Sequence, residues 1–314
     1  MRLLAPSIFP FLALAGDQSQ QQPPASFRAG VSIVAVDAQV VDGSRIITGL
    51  KKDDFIVFED GKPQTVLYFG VESEPLDLLL LIDKSGSMQP VVAELAVSAI
   101  EALTTLRSGD RVGVMLFASN SELLLAPISD LEEVASQLQS AVRDDKIGGG
   151  TDINGAVFEA ARYMRRQPKT NARRSLLILT DNFSHKSRRD QAVVNELWEA
   201  DAVLNALLFR SGFEKVVWNY HRAMGPWRLL MTADVKKIVD QTGGESLEAS
   251  APSEGFRAVL ERIRKRYTLH YRAPPGPAGK VRSIRVDLSP EAKTSYPHAR
   301  VRARRGYVAH EAVQ

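Results

Sequence analysis

The spacing of apolar and polar residues changes twice along this chain, which indicates three regions. Residues 27–69 contain short apolar runs separated by turn residues, a pattern typical of β-strands. Residues 76–265 alternate apolar runs of strand length with stretches in which apolar residues recur every three or four positions, as in amphipathic helices. Beyond residue 266 the strand-like alternation returns. The pattern therefore runs from β to α/β and back to β.

The middle region opens with the apolar run LLLLID, which ends at Asp83. A run of this kind suits a strand that is buried on both faces of a parallel sheet. The segment after it keeps apolar residues on one face between Pro90 and Gly109, which predicts a long helix. The other predicted elements are strands at 111–119, 122–128, 175–181 and 203–209, and helices at 130–143, 154–166, 190–200, 234–241 and 254–265. This order predicts an α/β fold with a doubly wound, mostly parallel sheet.

The two ends of the chain each carry too few strands to fold alone. FIVFEDGKPQTVLYF is typical of a hairpin around Asp60-Gly61, and the later segments 267–273, 281–288 and 298–308 alternate apolar with polar residues. We therefore predict that residues 27–75 and 266–310 fold together as one smaller β-sandwich. The α/β domain, residues 76–265, would be inserted into that sandwich.

The N-terminal residues MRLLAPSIFPFLALAG combine Arg2, a short apolar stretch and the small-residue sequence Ala13-Leu14-Ala15. They predict a signal peptide over residues 1–15, and hence a protein exported to the periplasm, the cell surface or the medium; the alternative is an apolar N-terminal strand. The Gln- and Pro-rich residues 16–26 predict a flexible linker. No other stretch reaches the roughly 18 apolar residues that a membrane span needs, so no transmembrane helix is predicted.

Composition narrows the chemistry that the chain can perform. It has no cysteine, which excludes disulfides and thiolate metal ligands. The formal net charge of +3 is small for 314 residues and comes from no basic block, so nucleic acid is not an expected partner. The five histidines are scattered without the spacing of a zinc site. Oxygen-bearing side chains are left as the candidate ligands.

Such side chains cluster in three turns at predicted strand ends. They are Asp83, Ser85 and Ser87 in the first turn, Thr151 and Asp152 in the second, and Asp181 in the third. The carboxyl ends of parallel strands meet at one edge of a sheet, where ligands usually bind. Hydroxyl and carboxylate oxygens suit a hard cation, and a set with few carboxylates suits Mg²⁺ with some of its waters. We predict a Mg²⁺ site, with Mn²⁺ or Ca²⁺ as alternatives.

Each of these residues also has a purely structural interpretation. Either serine of the first turn could cap the helix that begins near Pro90, and either residue of the second turn could cap the helix at 154–166. For Asp152 we expect a cap, or a position behind the metal ligands. Asp181 could form a turn. Only the coincidence of all three turns favours a metal site, because a cap needs one hydroxyl and does not require Asp83.

The three pieces DKSGS, GGTD and LLILTD resemble, in this order, the metal-ion-dependent adhesion site of von Willebrand factor A domains. The resemblance covers the middle region. It implies that the metal ligands are Asp83, Ser85, Ser87 and Thr151, with Asp181 often acting through water. Asn182 stands where the family commonly has glycine, although asparagine tolerates left-handed backbone. The end segments FIVFEDGKPQ and YTLHYRAP resemble a bacterial exported group of von Willebrand factor A-related proteins.

A site of this composition favours binding over catalysis. If one carboxylate contacts the cation directly, positive charge remains, and an outside carboxylate is a natural further ligand. The predicted function is a metal-dependent protein-binding or adhesion module that recognises an Asp or Glu side chain of a protein partner, and not an enzyme. Two alternatives stay open, a metal-dependent hydrolase and a scaffold with a purely structural metal. The glycine spacing of a serine hydrolase is missing around Ser85.

Two other segments are less specific. Residues 211–228 form a long connection with Trp218, Tyr220 and Trp227, whose aromatic rings would pack beneath their own loop or contact a partner. Near the end of the chain, Arg300, Arg302 and Arg304 recur at the period of a strand. We expect them to form a solvated strand face or to discourage edge pairing, and the alternative is an acidic partner.

Overall fold

The computed structural model describes residues 32–71, 74–141, 150–184, 187–209 and 234–310. The predicted signal peptide, the linker and the connection 211–228 lie outside these ranges, as do the first two glycines of the GGGTDI turn. Within the described residues, no helix is long and apolar enough to cross a bilayer.

Strands and helices alternate through the middle of the chain, and strands dominate both ends. The strands are β1 (Ile33–Asp42), β2 (Arg45–Ile46), β3 (Phe55–Glu59), β4 (Lys62–Gln64), β5 (Val66–Val71), β6 (Leu76–Asp83), β7 (Arg111–Phe117), β8 (Ser121–Ile128), β9 (Arg173–Thr180), β10 (Ala202–Phe209), β11 (Ser246–Ala249), β12 (Tyr267–Arg272), β13 (Val281–Leu288), β14 (Arg300–Ala303) and β15 (Gly306–Val308). The helices are α1 (Gln89–Leu103), α2 (Leu131–Ala141), α3 (Ile153–Arg166), α4 (Asp190–Glu199), α5 (Val235–Thr242), α6 (Pro252–Arg264) and α7 (Pro290–Ser295). Short 3₁₀ turns cover Lys52–Asp54 and Gly86–Met88.

The central sheet has the strand order β11-β10-β9-β6-β7-β8. Its neighbouring strands are parallel except for β7 and β8, which are antiparallel. All eight residues of β6 are buried, because helices cover both faces. Leu78, Leu80 and Ile82 pack with α1, α2 and α6, whereas Leu79 and Leu81 pack with α3, α4 and α5. The predicted fold class, a doubly wound and mostly parallel sheet with further sheets at the chain ends, is confirmed.

Strands from the two chain ends alternate in two further sheets. One has the order β14-β1-β12-β5, with β2 paired to β1, and the other has the order β15-β13-β3-β4. The two sheets share one apolar core, which includes Val36, Val57, Leu269 and Val286. Inside it Tyr271 is fully buried, and its hydroxyl donates a hydrogen bond to Glu59 over 2.7 Å. Neither end could bury these side chains without strands from the other.

The predicted solvated arginine face was wrong for two of its three members. Residues 298–308 do not form one strand, because the chain breaks at Arg304 and β14 and β15 join different sheets. Arg302 forms an ion pair with Glu245, and Arg304 pairs with Asp201. Both acids belong to the middle region, so these two arginines connect it to the end sheets. Arg300 is exposed.

Candidate metal centre

Asp83 lies at the end of β6 and is fully buried. Its Oδ1 accepts a hydrogen bond from the backbone N–H of Ser85 over 2.9 Å, and its Oδ2 accepts one from the hydroxyl of Thr180 over 2.6 Å. These two contacts hold the carboxylate in one orientation. Thr180 is the last residue of β9, so neighbouring strands fix the position of the acid.

The carboxyl group of Asp83 is in an unfavourable environment for a charge. Burial raises its pKa to about 6, and the nearby Asp181 carboxylate also raises it, whereas the hydrogen bonds from Thr180 and Ser85 lower it. A bound cation would favour the ionised form and reverse this shift. The environment of Asp83 therefore suits a metal ligand better than a structural turn residue.

The first turn, residues 83–87, places two hydroxyls beside each other. The Oγ atoms of Ser85 and Ser87 are 3.3 Å apart, and the Ser87 hydroxyl donates a hydrogen bond to Oδ2 of Asp181 over 2.7 Å. Neither serine makes a side-chain cap, because the 3₁₀ turn after Ser85 has no cap hydrogen bond and α1 follows Met88 without one. Both hydroxyls are thus directed to the space between the first turn and Asp181.

Lys84 lies within the first turn, but its charge is directed elsewhere. Its backbone N–H donates to the carbonyl of Phe117 at the end of β7, over 2.8 Å. Its Nζ donates to the carbonyl of Ala141 at the end of α2. The C-terminal end of a helix favours a positive charge, so α2 stabilises the ammonium group there.

The third turn, residues 181–184, is fixed by several hydrogen bonds. Oδ1 of Asp181 accepts the N–H of Phe183 over 3.0 Å. Asn182 has φ of 59°, so it adopts the left-handed conformation for which the family commonly uses glycine. Its side chain adds a contact that glycine lacks, because Oδ1 accepts the N–H of Val235 at the start of α5 over 3.2 Å. The substitution therefore preserves the turn.

The second turn, residues 151–152, is bonded to the third turn and to the end of β7, the strand to which the first turn is also bonded. The backbone N–H of Asp152 donates to the carbonyl of Ala118, which follows β7, over 2.8 Å. The carbonyl of Thr151 accepts the hydroxyl of Ser184 over 2.8 Å, and that hydroxyl oxygen accepts the N–H of Ile153 over 2.9 Å. Thr151 is buried, so its side chain is oriented by its neighbours. All three turns thus lie at one edge of the central sheet.

Asp152 caps α3 by accepting the N–H of Gly155 over 2.9 Å. A Cβ at Gly155, the third helical position, would lie 2.2 Å from Oδ2 of Asp152, so a larger residue there would displace the capping side chain. Three residues that support the turns were not predicted from the sequence: Gly155, Thr180 and Ser184. The signals were present, since a Thr directly precedes Asp181 and a Ser follows it three residues later.

The donor set at this edge fits a hard divalent cation. Hydrogen bonds and charge bring together two carboxylates, Asp83 and Asp181, and the hydroxyls of Ser85 and Ser87. Thr151 lies in the adjoining second turn, which is bonded to the third turn through its backbone carbonyl. Among the described residues, no group of three or more His, Cys, Asp or Glu side chains is placed to hold a metal, so hydroxyls have to complete any such set in that part of the chain. Oxygen donors of this kind match Mg²⁺ and Mn²⁺.

The fold and the site define a class of protein, an α/β domain in which turns at one edge of the sheet present hydroxyl and carboxylate groups. A sequence comparison then identifies the family. Residues 78–184 match the model of the von Willebrand factor type A domain. The resemblance to von Willebrand factor type A domains is therefore confirmed for residues 78–184.

Solved structures resemble the chain at low sequence identity. An aerotolerance-related membrane protein from Bacteroides fragilis is 17% identical, covers 60% of this chain and 99% of its own, and has a TM-score of 0.45. The manganese-loaded TRAP protein of Plasmodium vivax is 17% identical, with coverage of 75% and 98% and a TM-score of 0.44. A von Willebrand factor type A protein from Catenulispora acidiphila is 13% identical, with coverage of 84% and 71% and a TM-score of 0.43. Among curated proteins, none matches this chain.

Proposed function

We propose that the type A domain binds Mg²⁺ at this sheet edge and, through the metal, a carboxylate of a protein partner. The ligands would be Asp83, Ser85, Ser87, Thr151 and Asp181. The observation that supports this most directly is the 2.7 Å hydrogen bond from Ser87 to Asp181, since it brings hydroxyls of the first turn to the carboxylate of the third. The protein then acts as a metal-dependent binding or adhesion module.

Each residue has a separate part in this proposal. Asp83 provides the buried negative charge, and the serines provide neutral oxygens beside it. Asp181 holds the Ser87 hydroxyl and stays in reach of a metal-bound water. A divalent cation would supply the positive charge that a partner's Asp or Glu recognises. Since few carboxylates contact it, that charge is only partly neutralised.

Binding is the better proposal than catalysis because of how the serine hydroxyls are paired. Ser85 and Ser87 contact each other and a carboxylate, whereas a nucleophilic serine needs a hydrogen bond to a general base such as histidine. A hydrolase would show turnover that disappears with Asp83→Ala. A scaffold with a structural metal would bind the metal and recognise no carboxylate.

The metal site is tested by calorimetric titration of Mg²⁺ and Mn²⁺ into the full chain. Wild type should bind one equivalent, and Asp83→Ala and Ser87→Ala should bind at least about 10-fold more weakly, since each loses an oxygen donor. Ser140→Ala is the matched control, because the Ser140 hydroxyl only contacts the carbonyl of Gln137 on the exposed side of α2. Circular dichroism verifies that all variants are folded. A folded wild type that binds neither metal would contradict the proposal.

Carboxylate recognition is tested with Mn²⁺ in the site and N-acetylglutamate as the probe. The bound Mn²⁺ should accelerate the ¹³C relaxation of the probe's side-chain carboxylate, and N-acetylglutaminamide, which lacks free carboxylates, should show no effect beyond that of free Mn²⁺. The Ser87→Ala variant should lose the effect together with the metal. Tight metal binding without any effect on the probe would favour the scaffold instead.

Export is the second part of the proposal and rests on the N-terminal sequence. Residues 1–15 have the basic start, the short apolar stretch and the small residues of a signal peptide. Expression of the full chain in a bacterial host, followed by fractionation and N-terminal sequencing, tests it. We expect a mature protein that begins at Gly16 and lies outside the cytoplasm. An intact Met1 in the cytoplasmic fraction would contradict export.

A further inference from the structure

One sheet edge differs from all the others in the described part of the chain. Strands usually protect free edges with charge, proline or short length. Most edge strands here do so: β2, β4, β11, β14 and β15 have four residues or fewer, and β8 contains Glu122 and Pro127. The exception is β5, six residues of sequence VLYFGV with neither a charge nor a proline. Its one irregularity is a bulge at Leu67, between the pair of Tyr68 with His270 and the pair of Val66 with Tyr271.

Three apolar side chains of β5 are in contact with solvent. Leu67, Tyr68 and Val71 are 54%, 47% and 44% exposed. The strand itself is firmly held, because it pairs antiparallel with β12 and because Phe69 packs against Phe55 and Tyr267 in the shared core. β5 is thus held firmly in the sheet while some of its apolar side chains remain exposed to solvent.

The size of this edge decides what can occupy it. Six residues extend for about 20 Å, and one added strand of that length would bury roughly half of the ~800 Å² per partner that a stable interface needs. A second copy held by β5 alone would therefore dissociate readily. An extended peptide needs less area, because its main chain forms hydrogen bonds with the edge strand along its whole length.

The surroundings of β5 determine the chemistry of that peptide. Arg272 lies one strand away on β12, adjacent to the pair of Tyr271 with Val66, and its side chain is exposed. Tyr271 points into the core, so Arg272 points to the outer face, as does His270, whose ring lies 5.1 Å from that of Tyr68. An acidic residue of an added strand would be attracted to Arg272.

We infer that β5 is a docking edge for an extended peptide of a partner protein, with alternating apolar residues and an acidic residue near Arg272. The peptide adds a strand to the sheet formed by β14, β1, β12 and β5. This site lies in the sheets formed by the chain ends and does not involve the metal ligands. It goes beyond the proposed function, and its partner contacts need no cation.

The probe is a capped octapeptide of alternating valine and threonine in which one threonine is replaced by glutamate. Added to the ¹⁵N-labelled full chain, it should shift amide signals of residues 66–71 and 267–272, with a dissociation constant on the order of 0.1 mM. Leu67→Lys should weaken binding about 10-fold, because the edge then carries a charge. Arg272→Glu should reverse the preference between the glutamate peptide and its lysine counterpart. Val97→Lys is the matched control, because it places the same charge at an exposed apolar position on α1, and it should leave peptide binding unchanged.

The same titration contains the results that would overturn the inference. A peptide N-methylated at every residue has no N–H to donate from either edge, so equal binding by it would exclude strand addition. Protected outward amides in β5 of the free monomer would mean that another part of this chain covers the edge. A mass that doubles with concentration, and returns to that of the monomer in Leu67→Lys, would make the occupant a second copy. Binding should persist with EDTA and in Ser87→Ala; its loss there would place the peptide at the metal site.

Discussion

At the scale of single residues, Asp83 has a carboxyl group in an environment that disfavours its negative charge. Its pKa is raised to about 6 from an ordinary value of 3.8. The folded state therefore binds the proton more tightly than the unfolded state. The stability contributed by the protonated form is complete below about pH 4 and is lost as the pH rises to about 6. Two pKa units correspond to about 3 kcal/mol.

We expect Asp83→Asn to be more stable than wild type in EDTA at pH 7.5, by up to about 3 kcal/mol, because the buried charge is removed. In excess Mg²⁺ the order should reverse, since only wild type gains stability from the metal. Urea unfolding in both buffers measures the two differences. A variant that is less stable than wild type in EDTA would show that Asp83 is a structural carboxylate.

At the scale of elements, one cap determines how α3 begins beside the second turn. Asp152→Ala should lower the free energy of unfolding by about 1 kcal/mol, because the N–H of Gly155 loses its acceptor. Asp152→Ser, which can still cap the helix, is the matched control and should lower the free energy of unfolding by only about 0.3 kcal/mol. Urea unfolding measures both. A loss of Mg²⁺ affinity as large as that of Asp83→Ala would instead make Asp152 a metal ligand.

Most elements follow from apolar periodicity, but the short ones do not. The long strands and helices of the middle region lie close to their predicted positions, because burial on one or both faces imposes a clear period. The exception is the end of α1, which was predicted to continue to Gly109 and stops at Leu103. The four residues of β11 include Glu248 and are too few to show a period. The α7 helix has a signal in Ser289 and Pro290, which the β pattern around it obscured. Residues 298–308 alternate like one strand, and only tertiary contacts divide them.

The candidate metal ligands could be predicted from the sequence more readily than the residues that hydrogen bond to them and to their turns. Asp83, Ser85, Ser87 and Asp181 follow strand ends, and parallel strands bring their ends to one edge whatever the details. Thr180 and Ser184 contribute hydrogen bonds across the chain, 97 and 33 residues away in sequence. Such contacts depend on the register of neighbouring strands and on turn geometry, which local patterns do not encode.

At the scale of the whole molecule, Glu245 connects the type A domain to the end sheets. Its carboxylate accepts hydrogen bonds from Arg262 of α6 and from Arg302 of β14. Burial would raise its pKa, but the two guanidinium groups outweigh burial and lower it. The stability from this group is therefore present above about pH 4.5 and is lost as the pH falls through the lowered pKa.

Glu245→Gln should destabilise the protein by about 2 kcal/mol at pH 7, because two half-buried arginines lose the charge of a buried carboxylate. The difference from wild type should shrink on acidification. Glu248→Gln removes the exposed pair with Lys236 and should cost less than about 1 kcal/mol. Urea unfolding at pH 7 and pH 3 provides the comparison. Equal effects of the two substitutions would show that Glu245 makes no special link between the two parts.

The chain enters the α/β region before β6 and leaves it after α6, and these two connections lie next to each other. Arg264, at the end of α6, donates a hydrogen bond to the carbonyl of Glu74, which precedes β6, over 3.1 Å. Asp83 lies at the far end of β6, about 23 Å away at the usual rise of a strand. A mechanical force applied between the metal site and the end sheets is thus carried by two neighbouring connections, the one that enters β6 and the one that leaves α6. It loads β6, the central strand, along its length, so its hydrogen bonds would have to shear together and not open one at a time.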